Sequence, residues 1–90
     1  MSEVKRDIPR EEMVDQFIAL ANEFSKTESK ERVGAAIMFA AARYNAYEAS
    51  TKSTNLVHDK PDALDWYSRE YTRMLETNMD ELIHMRSHGH

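Results

Sequence analysis

The 90-residue chain contains no Cys, only two Gly and two Pro, a single Trp and no long apolar run. Without Cys it has no disulfide framework, no thiolate zinc or iron–sulfur site and no Cys nucleophile. Gly and Pro together fill four positions, where average usage is about 12%, so turns are scarce and long elements are expected. With glycine only at Gly34 and Gly89, no Gly-rich phosphate loop or dinucleotide fingerprint can form. The longest apolar stretch, Ala35 to Ala42, is far short of the ~20 residues of a membrane-spanning helix. The opening Met1-Ser2-Glu3-Val4-Lys5-Arg6-Asp7 has no apolar h-region, so no secretory signal is visible and a reducing, cytoplasmic setting is expected. No Ser or Thr lies in a nucleophile-elbow pattern.

Charge excludes further classes. Lys and Arg number 12 and Asp and Glu 16, a net charge of −4. Residues 1–30 hold five basic and seven acidic groups, residues 31–60 four and three, and residues 61–90 three and six. No basic stripe is present to neutralise phosphates, so neither nucleic acid nor an anionic membrane is an expected partner.

What is there is helical patterning. The spacing predicts an all-α, up-down-up arrangement of three helices at about 9–25, 30–50 and 60–85, forming a single domain with flexible ends at about 1–7 and 86–90. In the first helix, Met13, Phe17, Leu20 and Phe24, with Val14, Ile18 and Ala21, form one stripe. Asp7 is its expected cap, and Pro9, Glu11 and Glu12 suit its first turn. Ser29 is the expected cap of the second helix. That helix is apolar on two sides, with Val33, Ile37, Ala40, Tyr44 and Tyr47 on one and Ala35, Phe39, Ala42 and Ala46 on the other. Such a helix is expected to be central and covered on both flanks. The third helix is expected to start at Asp59 with Pro61 in its first turn. A polar linker at 51–58 would precede it, with Leu56 and Val57 folded back over the core. Leu64, Tyr67, Tyr71, Met74, Leu75, Asn78, Met79 and Leu82 make its stripe.

Site chemistry is sparse. His84 and His88 stand at i, i+4 with His90 beyond, and Glu81-Leu82-Ile83-His84 is half of a bundle di-iron motif. No second Glu-x-x-His and no His-Glu-x-x-His exists, so no metal, cofactor or catalytic residue is expected, and the chain reads as non-enzymatic. The polar residues Asn22, Arg43, Asn45 and Asn78 interrupt apolar stretches. They form either an internal network that fixes helix register or a pocket that binds a small molecule or anion. The second side of the second helix and an off-stripe aromatic nominate Phe39, Ala42, Ala46 and Trp66 as interface residues. A core this small gains most simply from self-association, and a homodimer is expected, with an unidentified protein partner as a further possibility.

Three strings carry a family likeness: Phe17-Ile18-Ala19-Leu20-Ala21-Asn22, Ala41-Ala42-Arg43-Tyr44-Asn45-Ala46, and Tyr71-Thr72-Arg73-Met74-Leu75-Glu76-Thr77-Asn78-Met79-Asp80. Through them the chain resembles, over about residues 14–84, a family of short proteobacterial proteins known only as domain of unknown function 3144. The resemblance implies a small, helical, bacterial cytoplasmic protein. It brings no catalytic residue and no activity with it.

Overall fold

The computed structural model describes residues 7–88, with side chains to residue 87. It is an all-α, three-helix arrangement: α1 is Arg10–Phe24, α2 Lys30–Lys52 and α3 Leu56–His88, with no strand among the described residues. Residues 1–6, Gly89 and His90 lie outside the described residues, whereas 86–88 continue α3.

Each helix boundary has a local cause. At the start of α1 the Pro9 carbonyl accepts the N–H groups of Glu12 and Met13 at 3.0 and 3.2 Å. No side chain caps this end, so Asp7 does not serve as the cap. Pro9 itself takes the N-cap position, two residues beyond Asp7. Glu11 and Glu12 sit in the first turn, at the positive end of the helix dipole. α1 ends where the Ser25 hydroxyl donates back to the Ala21 carbonyl at 2.9 Å. For α2, Ser29 is the cap, its Oγ accepting the Arg32 N–H at 3.2 Å and its carbonyl the Val33 N–H at 3.0 Å.

α3 begins four residues before its expected start. Asn55 Oδ1 accepts the His58 N–H at 3.1 Å, and the Asn55 carbonyl accepts the Asp59 N–H at 3.0 Å. Asp59 is therefore inside the helix, where its Oδ2 accepts the Ser53 hydroxyl proton at 2.6 Å. Ser53 Oγ in turn accepts the Asn55 N–H at 3.1 Å, so Ser53, Asn55 and Asp59 tie the short 53–55 link together. Pro61 lies within the helix and leaves the Val57 carbonyl without its i+4 donor. Val57 is 88% exposed, so water can serve that acceptor. The expectation that Leu56 and Val57 fold back over a core is corrected here: they open α3.

The chain divides into two compact units, Met1–Asn45 and Ala46–His90. In the first, Ala21 of α1 and Val33 of α2 are buried; they are the only buried apolar residues among those described. Around them Met13, Phe17, Ile18, Leu20, Ile37, Met38 and Phe39 stay exposed. In the second unit, residues 46–52 of α2 contact α3 through Glu48 and Tyr67, whose hydroxyl donates to Glu48 Oε1 at 2.9 Å. Asp59, Ala63, Tyr67 and Glu70, one face of α3 at i, i+4, i+8 and i+11, are half-buried.

The expectation that α2 is covered on both flanks does not hold within one chain. Its apolar residues are spread so evenly around the axis that no side is favoured, and Val33 alone is buried. A single neighbouring helix covers one strip of a helix, so a helix with apolar residues on two sides keeps one of them exposed.

Candidate functional site

The four polar residues proposed as a network or pocket occupy different surroundings. Asn22 is exposed on α1. Arg43 is exposed on α2 and lies over the Phe39 ring one turn back, with 4.9 Å from guanidinium carbon to ring centroid. That places a cation on the π face of an exposed aromatic within one helix. Asn45, half-buried, closes the first unit. Asn78 is exposed on α3 in the second unit, and its Nδ2 donates to the Met74 carbonyl at 2.8 Å, a bond within its own helix.

Two surface clefts are defined on α3. One, of about 380 Å³, is lined by Thr77, Asp80, Glu81, His84 and Met85. The other, of about 290 Å³, is lined by Ser68, Arg69, Thr72, Arg73 and Glu76. Each is walled by one helix alone and open to solvent, so each is a groove between side-chain rows. Neither includes Asn22, Arg43, Asn45 or Asn78. Among the described residues no group of three or more His, Asp or Glu side chains is placed to hold a metal ion.

The interface candidates are open to solvent. Phe39 is 64% exposed, and Ala42 and Ala46 are exposed beside it along the chain. Trp66 is 53% exposed and makes a T-shaped contact with Tyr67, with ring centroids 5.0 Å apart and planes at 89°. Near Trp66 in sequence, Arg69 pairs with Asp65 at 2.8 Å and Arg73 with Glu70 at 2.6 Å. These ion pairs, like those of Lys26 with Glu23, Arg32 with Glu28 and Lys52 with Glu48, are local i, i+3 or i, i+4 contacts at the surface, where each contributes little.

One polar cluster escaped the sequence reading. Glu48 accepts the Tyr67 hydroxyl on Oε1, its Oε2 lies 3.4 Å from the Lys52 ammonium, and Tyr67 carries Trp66 on its ring. Loss of water raises the Tyr67 phenol above its ordinary value of 10.0, and the hydrogen bond to Glu48 and its charge add to the rise. Tyr67 and Glu48 are 19 residues apart, so no local spacing signals the contact.

A family model described as protein of unknown function (DUF3144) matches residues 11–83. No curated protein and no solved structure matches the chain. No helix of the described residues is long and apolar enough to cross a membrane.

Proposed function

We propose that this chain, which belongs to the DUF3144 family of proteins of unknown function, is a non-enzymatic helical module that acts through self-association. The observation that carries this reading is the ratio of covered to uncovered apolar side chains. Among the described residues two are buried, while Phe17 at 73% exposure, Phe39, Leu64, Leu82 and many others along all three helices stand open. Exposed apolar faces of this extent are characteristic of interaction surfaces.

In this reading Phe39, Ala42 and Ala46 belong to the contact surface, and Trp66 is available to a different protein. A bacterial cytoplasmic setting is supported by the family resemblance alone. A ligand pocket around Arg43, Asn45 and Asn78 draws no support from either α3 cleft. Light scattering across a concentration series tests the proposal: the mass should rise to about twice 10.5 kDa. A mass that stays at 10.5 kDa in high micromolar protein overturns it.

A further inference from the structure

We infer that α3 pairs with α3 of a second copy as a parallel, in-register, two-stranded coiled coil, with Asn78 of each chain at the seam. This rests on the self-association reading and adds to it a face, a direction and a register.

The inference starts from two different faces of α3. The half-buried one, Asp59, Ala63, Tyr67 and Glu70, is the side that meets α2 through the Tyr67–Glu48 bond. A second row consists of Leu64, Tyr71, Leu75, Asn78, Leu82 and Met85, with Ser68 in the remaining place. Its spacing alternates four and three residues from end to end, the 3.5-residue repeat of a coiled-coil seam. At about 100° per residue this row is centred about 90° from the half-buried face. Every member of it is exposed.

Charge complementarity selects the occupant and its direction. In a parallel pair, the residue just before one seam position lies across from the residue just after the next seam position of the other chain. On α3 this places Glu81 against the partner's Arg86, and by symmetry Arg86 against the partner's Glu81. Met74 meets the partner's Met79 in the same way, and no like charges face each other. Among the described residues neither Glu81 nor Arg86 takes part in an ion pair within its own chain. Reversing one strand brings Met74 opposite the partner's Glu81 and loses both Glu–Arg pairs.

Asn78 supplies the register. One of its amide protons is used on the Met74 carbonyl, which leaves Oδ1 and the second proton for the partner's Asn78. A slip of one heptad would set the amide against Tyr71 or Met85 of the partner subunit and lose the Asn–Asn bonds, so the Asn pair favours strands in step. Trp66 lies on nearly the opposite side of the helix from the seam and takes no part in it.

Because the chain has no Cys, single cysteines can read the geometry directly. Met85→Cys puts a thiol at a seam position, and Asp80→Cys puts one on the outward side. With oxidised glutathione as oxidant, Met85→Cys should form a covalent dimer at least about tenfold faster than Asp80→Cys, since seam positions meet the distance a disulfide needs. Leu75→Cys repeats the test at a second seam position, so one misfolded variant does not decide it. Trp66→Ala should leave the native mass unaltered. In an antiparallel pair the two Met85 positions would be on the order of 25 Å apart and could not be bridged. A doubled mass with no preferential crosslink at Met85→Cys or Leu75→Cys overturns the parallel pairing while self-association stands. A mass of 10.5 kDa overturns both.

Discussion

Replacing Gly34 by Ala should stabilise the protein, and the structure gives the size of the effect. Gly34 lies in the fifth position of α2, a helix of 23 residues, and its φ is not in the left-handed region. A Cβ built there meets nothing within 4 Å. No clash therefore offsets the helix-propensity gain, which is about 0.8–1.0 kcal/mol for Ala over Gly in a helix interior. For a chain of this length that corresponds to a rise in Tm of about 4–8 °C. Thermal melts followed by circular dichroism, at one fixed protein concentration, read the shift, and urea titrations should show a higher midpoint with an unchanged slope. A Tm that stays the same or falls would refute the reasoning, because it would mean that the open space beside Gly34 is occupied in solution.

Removing the α2 cap by Ser29→Ala should cost about 1 kcal/mol, measured by urea unfolding; no loss would mean the 3.2 Å bond to the Arg32 N–H contributes nothing. Tyr67 carries a pH signature. Its raised phenol means that the unfolded chain sheds this proton first, so its contribution is whole below pH 10 and is lost as pH climbs through the folded value. Urea midpoints should therefore fall more steeply above pH 10 in the parent than in Tyr67→Phe, and parallel slopes would contradict the Glu48 contact. Phe39→Asp should shift the monomer–dimer equilibrium towards monomer by about tenfold or more, since a carboxylate would be carried into an apolar contact; unchanged sedimentation would remove that face of α2 from the interface.

The sequence was most legible where the signal is local. The α1 stripe and Ser29 before α2 predict elements that the structure places within two residues. The start of α3 was misread because Asp59 followed by Pro61 resembles a cap and a first turn, while Asn55, four residues earlier, makes the bonds that matter. Proline is tolerated beyond the first turn when the carbonyl it orphans faces water, as at Val57. Burial was legible only in part. An apolar pattern says which residues need cover but not whether the same chain provides it, and α2, apolar on two sides, is largely uncovered by its own chain. Asn78 was recognisable as a polar break in the α3 stripe. Its bond to Met74 and the Tyr67–Glu48 contact required coordinates, because hydrogen-bond partners leave no periodic trace.

The central claim is that cover for these helices comes from another copy of the chain, so folding and association are one equilibrium. Thermal unfolding across a hundredfold range of protein concentration tests it directly. Each tenfold increase should raise Tm by about 4 °C, because native dimers are favoured by mass action. A Tm independent of concentration over that range would contradict the account.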